Sequence, residues 1–112
     1  MNQSEVLAEL EKVLAERRNG DPAESYVAAL HHKGLNKILE KVGEECTEVL
    51  LAAKDAGSNG DTELVKEMAD LWFHCLVLLS HTSCSAEQVL EELQRRMGVS
   101  GLAEKAARES GS

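Results

Sequence analysis

Lys41-Val42-Gly43-Glu44-Glu45-Cys46-Thr47-Glu48 and, further on, Glu67-Met68-Ala69-Asp70-Leu71-Trp72-Phe73-His74 are the stretches whose reading decides the fold. Each carries carboxylates three or four residues apart, a spacing that stacks side chains on one face of an α-helix. Between them lies Asp55-Ala56-Gly57-Ser58-Asn59-Gly60, a turn-like break that lets two helices fold back antiparallel. Two facing acidic strips on such a hairpin would make a cage for a hard divalent cation.

The first helix of the pair is predicted over Leu35–Ala56. Leu35, Ile38, Leu39, Val42, Cys46, Val49, Leu50 and Ala53 fall in an arc of roughly 120° at about 100° per residue. Glu45 lies at the edge of that arc, Lys41 and Glu48 follow on the same flank, and Lys37 and Glu44 sit further toward solvent. Glu45 is therefore the carboxylate nearest the core, where an unpaired charge is costly. The second helix is predicted from a cap at Asp61 to His81. Leu64, Met68, Leu71, Cys75 and Leu78 form its stripe, and Trp72, Phe73, Leu76, Val77 and Leu79 make its second half apolar nearly all round. Such a helix must be covered on every side, which in a short chain points to a second subunit. Glu63, Glu67, Asp70 and His74 run along the remaining strip.

Outward from the pair, Asn2–Asn19 reads as a helix with Val6, Leu7, Leu10, Val13 and Leu14 inward, stopped by Gly20. Arg17 and Arg18 fall in its last turn, where cations offset the helix dipole or are placed for a ligand. Pro22 suits the first turn of a short helix to His32. The adjacent His31 and His32 point about 100° apart on such a helix and read as surface residues. Ser85 with Gln88 forms a capping box for a last helix to Met97. Residues 1–98 thus form one domain. Residues 99–112 form a partly disordered tail, with room for a helical turn over Leu102–Arg108 and a disordered end from Glu109.

The composition agrees: aromatics are 3%, Pro22 is the only proline, and no stretch alternates like a strand. The fold class is all-α, a helical bundle of about five helices around a central antiparallel pair. A net charge of −8 argues against nucleic acid or an anionic membrane as partner. No apolar run reaches the roughly 20 residues that span a bilayer. Cys46, Cys75 and Cys84 have no close-spaced metal pattern. Cys46 and Cys75 fall at apolar helix positions and read as reduced, buried thiols. Their odd number and the lack of a leader-like opening point to a reducing, cytoplasmic compartment.

Exposed helix faces are often acidic without a ligand, and like-charge pairs at this spacing cost only about 0.2–0.5 kcal/mol each. Here, however, the strips border the apolar arcs and lie on helices that must pack together. A set of carboxylates without a cysteine pair suits Mg²⁺ or Mn²⁺ more than Zn²⁺, and Mg²⁺ commonly meets substrate phosphates. Lys33, Lys37 and Lys41, spaced by four, would neutralise phosphate oxygens beside it, or simply pair with Glu40, Glu44 and Glu45.

Glu45-x-x-Glu48 followed by Glu67-x-x-Asp70 resembles the metal signature of the all-α, MazG-like nucleoside-triphosphate pyrophosphohydrolase superfamily. Within it the chain is most similar to the phosphoribosyl-ATP pyrophosphohydrolase family. That similarity rests on Ser25-Tyr26-Val27-Ala28-Ala29-Leu30, Gly34-Leu35, Lys37-Ile38-Leu39, Lys41-Val42-Gly43-Glu44-Glu45, Ala69 with Leu71 and His74, and Leu76-Val77-Leu78-Leu79, over about residues 5–97. Cys46-Thr47 departs from the smaller residues expected there. The resemblance implies that Glu45, Glu48, Glu67 and Asp70 bind Mg²⁺ and that the chain is a homodimer. It implies hydrolysis of the α–β phosphoanhydride of phosphoribosyl-ATP to phosphoribosyl-AMP and pyrophosphate, the second step of histidine biosynthesis. On that reading Glu44 or Glu48 orients the attacking water, Lys41 holds pyrophosphate, and His74 is a hydrogen-bond partner behind the ligands. Arg17, Arg18, Arg95, Arg96 and Lys105 are the candidates for the phosphoribosyl group. The alternatives are a house-cleaning nucleoside-triphosphate pyrophosphohydrolase and a non-enzymatic helical dimerisation module.

Overall fold

Ser25 and Gly34 set the frame into which the long helix pair is fitted. Ser25 has an extended backbone and its hydroxyl accepts from the Ala28 amide, which starts a helix at Tyr26. Gly34 ends that helix at φ +97°, a conformation that disfavours any residue with a Cβ. Its amide donates to the Leu30 carbonyl and its carbonyl accepts from Ile38, so one residue closes one helix and opens the next.

The computed structural model describes residues 1–56, 62–98, 105, 106, 108 and 109. A 3₁₀ turn at Gln3–Glu5 leads into α1 (Val6–Arg18), followed by α2 (Tyr26–Lys33), α3 (Leu35–Ala56), α4 (Thr62–His81) and α5 (Ala86–Met97). Lys105, Ala106, Arg108 and Glu109 are also helical, and no strand occurs among the described residues. The chain is the all-α bundle expected, built on the packed pair α3 and α4.

Several boundaries differ from expectation. The first α-helix begins at Val6, with Asn2 preceding the 3₁₀ turn. The second begins at Tyr26 and not at Pro22, because Asp21 holds a tight turn. Its carboxylate accepts from the Ala23 amide at 2.9 Å and its carbonyl from Glu24 and Ser25. Glu109, expected in a disordered end, is helical. The turn over residues 57–60 and the cap at Asp61 lie outside the described residues. The capping box of Ser85 and Gln88 is present, both bonds made.

The core joins Leu14 of α1, Val27 and Leu30 of α2, Ile38 of α3, Leu76 and Val77 of α4, and Ala86 of α5. Burying each of the larger side chains contributes about 1.5–3 kcal/mol. Polar contacts fix the flanking helices: Arg18 donates to the Ser80 carbonyl at 2.7 Å, and Glu11 accepts from the Ala86 amide at 2.8 Å.

This core covers only part of each apolar arc. Ile38 is fully buried and Val42 and Val49 are half-buried, all on the Glu45 side of α3. On the other side Leu39 and Cys46 are exposed, and Leu50 is 66% exposed. Cys46, expected to be buried, is therefore open because α2 and α4, the helices packed against α3, cover only one flank of it. On α4, Trp72 remains 57% exposed although its neighbours His74, Leu76 and Val77 are buried. No helix among the described residues is long and apolar enough to cross a membrane.

Candidate metal-binding active site

The flank of α3 that the core does cover carries Glu45, and it packs against the polar strip of α4. Glu67 and Asp70, three residues apart, stand one turn after the other on that strip. One carboxylate oxygen from each of Glu45, Glu67 and Asp70 lies within 4.8 Å of the others. Glu45 and Glu67 are half-buried and Asp70 is exposed, so the group opens to solvent on one side. Burial, reinforced by the charges of Asp70, Glu48, Glu45 and Glu63, raises the Glu67 pKa above the ordinary glutamate value. The neighbouring cation is Lys41, whose Nζ is 4.0 Å from Glu45 and 3.0 Å from Glu44. The Lys41–Glu44 contact holds the Glu44 carboxyl below its usual range.

Glu48 is exposed on the next turn of α3, close enough for its charge to act on Glu67 but outside the group of three. His74 sits behind the carboxylates, 6% exposed. Its Nδ1 lies 2.8 Å from the Asp70 carbonyl oxygen, which can only accept, so Nδ1 carries the proton. Nε2 is then an acceptor, and the Tyr26 hydroxyl donates to it at 2.7 Å. Both nitrogens are committed. At 4.0 Å from Glu45 Oε1, His74 is a neighbour of the carboxylates with no nitrogen left for a metal. The donor set is thus oxygen only, which fits a hard cation such as Mg²⁺. A group of like charges with one lysine beside it gains from such an ion.

Tyr26 is the residue that sequence reasoning missed as functional. It belongs to the Ser25-Tyr26 run, but only the fold shows its hydroxyl directed at α4. Its ring packs edge-on to His74 at 5.7 Å and stacks near Phe73 at 6.4 Å. Desolvation raises the Tyr26 pKa, and Lys41, Glu45 and Glu44 also act on it.

The remaining basic residues are distributed differently. Lys37 pairs with Glu40 at 3.4 Å on the outer face of α3, and Lys33 is exposed at the end of α2. Arg17 is exposed, whereas Arg18 is part-buried against Ser80. Arg95 and Arg96 both bind Glu92 on their own helix, at 2.7 and 3.2 Å, and Lys105 is exposed in the helical residues beyond it. Of the candidates for substrate contact, Lys41 is the one that the described residues show in an ion pair with the carboxylate group, through Glu45. His32 is a surface residue as expected. His31 is not: it is half-buried, with Nδ1 2.9 Å from Nδ1 of His81, because α2 turns that side toward the end of α4.

A larger cleft, about 490 Å³, opens between α1 and α4 beside Leu14, Ala15 and Leu76. Among the described residues its one carboxylate, Glu11, is engaged with the Ala86 amide, so this cleft shows no carboxylate group like that of Glu45, Glu67 and Asp70. Compared with known protein families, the chain matches the model described as phosphoribosyl-ATP pyrophosphohydrolase over residues 7–97.

Proposed function

The chain belongs to the phosphoribosyl-ATP pyrophosphohydrolase family, which makes it a hydrolase, and from that premise we propose that it cleaves phosphoribosyl-ATP at the α–β phosphoanhydride. The products are phosphoribosyl-AMP and pyrophosphate, and the step is the second of histidine biosynthesis. The observation that carries this reading is the meeting of Glu45, Glu67 and Asp70 within 4.8 Å inside the matched segment.

Glu45, Glu67 and Asp70 would hold Mg²⁺ or Mn²⁺, with Glu48 beside them as the fourth ligand. When bound, the ion supplies positive charge that offsets the charge developing on the phosphate oxygens. Lys41 adds a cation on the same side and steadies the pyrophosphate that leaves. Glu44, kept ionised by Lys41, and Glu48 are the two carboxylates available to orient an attacking water. His74 and Tyr26 keep the backbone of Asp70 and the edge of Glu45 in place from behind.

The enzyme works as a cytoplasmic homodimer. The open half of the α3 arc, from Leu39 through Cys46 to Leu50, and the exposed Trp72 of α4 give a second copy an apolar face to cover. Sedimentation at micromolar concentration checks this, a dimer mass being expected. The reaction is tested by pyrophosphate release from phosphoribosyl-ATP with and without Mg²⁺, beside a panel of deoxynucleoside triphosphates. Mg²⁺-dependent turnover of phosphoribosyl-ATP above the panel is expected. Turnover of the panel alone would assign the chain a house-cleaning role, and no turnover with no saturable Mg²⁺ binding would leave a dimerisation module.

A further inference from the structure

A second cleft, about 290 Å³, opens where the end of α1 and the turn after it meet one side of α2 and the end of α4. Its polar walls are Arg18, Asn19, His31, His32 and His81, and no carboxylate among the described residues lines it. That is unusual surface for a chain with 20 acidic residues and a net charge of −8. Arg18 is part-buried and fixed by its bond from Nη1 to the Ser80 carbonyl. No carboxylate lies within the 4.0 Å ion-pair distance of its guanidinium among the described residues. Arg95 and Arg96, by contrast, both hold Glu92. A guanidinium withdrawn from water normally has an anion beside it.

The histidines complete the argument. His31 and His81 stack with ring centroids 5.1 Å apart and share one proton between their Nδ1 atoms. The other nitrogen of His31, Nε2, is shut off from solvent with no hydrogen-bond partner. A buried N–H left unmade costs more than a bare acceptor, so the shared proton belongs to His31 and Nε2 is unprotonated. A further proton there makes Nε2 a donor. The nearby guanidinium opposes that proton, and an anion in the cleft would remove the opposition.

We propose that this cleft is an anion subsite that takes a phosphate monoester group, held by the Arg18 guanidinium and by the Nε2–H of His81, the tautomer of His81 being fixed by its Nδ1 bond to His31. It lies on the same strip of α4 as the carboxylates, His81 being seven residues or about 10 Å beyond His74. The phosphate has two possible sources: the ribose-borne phosphate of phosphoribosyl-ATP, or a free phosphate ester. The binding experiment below is independent of the proposed reaction, and the kinetic one rests on it.

Inorganic phosphate titrated into the full chain without metal should shift the ring C–H resonances of His31 and His81 saturably. Arg18→Gln and His81→Gln, each checked for native circular dichroism, should weaken that response about tenfold or more, as expected for loss of a charged hydrogen bond. Unmoved histidine resonances, or equal responses in wild type and both variants, would overturn the proposal. If the substrate supplies the phosphate, Arg18→Gln raises KM for phosphoribosyl-ATP about tenfold with kcat little changed, and inorganic phosphate competes. If a free ester supplies it, phosphate binding is lost in the variant while KM stays at the wild-type value. Absence of turnover in wild type alongside intact phosphate binding would remove the proposed reaction and leave this subsite standing.

Discussion

Two ring pairs bridge α2 to α4, and their difference shows how one framework makes two chemical environments. Tyr26 meets His74 at 2.7 Å, and His31 meets His81 at 2.9 Å. Between the two rungs Val27, Leu30 and Val77 are buried, so the same apolar contact fixes both. In the first rung every polar atom of the imidazole is used, and the neighbours are carboxylates. In the second, one nitrogen is orphaned and the charge that acts most on the ring is the Arg18 guanidinium. The first arrangement holds a protein group still for use by others. The second leaves capacity on a nitrogen closed to solvent, which only a proton can take up.

The largest effect expected on this comparison comes from removing the anionic side of the first rung. Asp70→Asn keeps the shape and the main-chain carbonyl that His74 binds, yet deletes one charge of the group of three. A bound cation contributes several kcal/mol to phosphoryl chemistry, and each 1.36 kcal/mol is tenfold in rate. Turnover of phosphoribosyl-ATP should therefore fall by about 10³-fold, with helicity unchanged, in steady-state assays at saturating Mg²⁺. Activity within a factor of a few of wild type would take Asp70 out of the site. Glu45→Gln should behave alike, being the half-buried member on α3.

How far the sequence discloses this arrangement depends on which link a feature rests upon. Helix period and caps are local, and they set five helices and the capping box at Ser85 correctly. The acidic pairs Glu45/Glu48 and Glu67/Asp70 are also local on each helix, so the two strips are legible as strips. Their meeting depends on register between α3 and α4. The register draws Glu45, Glu67 and Asp70 together and leaves Glu48 one turn outside the closest group. The helix wheel places Glu45 at the edge of the apolar arc; in the fold that edge is the covered side, and the arc's centre near Cys46 is open. A wheel cannot say which half of an arc a short chain can cover. Tyr26 and His31 belong to α2, whose modest apolar face gives no hint of what its ring atoms reach. Both partners lie 48 and 50 residues away, and such pairings exist only after the tertiary contacts form.

A smaller effect tests whether the first rung positions or merely packs. Tyr26→Phe keeps the ring against Phe73 and His74 and removes only the hydroxyl. The unprotonated Nε2 then loses its donor, and the imidazole is freer to turn away from the Asp70 carbonyl. Partners behind a metal ligand typically matter by 10–100-fold, so kcat/KM should fall by about that factor with thermal stability changed little. If the variant turns over like wild type, His74 needs no tyrosine to hold it, and the two rungs differ only in surroundings.

The smallest effect concerns the second rung, and it reads the proton directly. Desolvation, then Arg18 and His81, lowers the His31 pKa below its ordinary value near 6.5. Above that value the ring is neutral whether the chain is folded or not, and the fold carries no penalty. As pH falls below 6.5 the unfolded chain takes up the proton first, so stability drops until the folded-state value is also passed. His31→Gln has no such proton to refuse. The wild type should therefore lose more Tm than this variant between pH 8 and pH 5.5, with the difference no more than about 4–8 °C, the size of 1 kcal/mol in a domain this small. Added phosphate should narrow the gap at the acid end if the cleft binds it, because a bound anion favours the protonated ring. Parallel Tm curves for the two proteins would mean that the guanidinium and the buried nitrogen do not influence the proton, and that the second rung is packing alone.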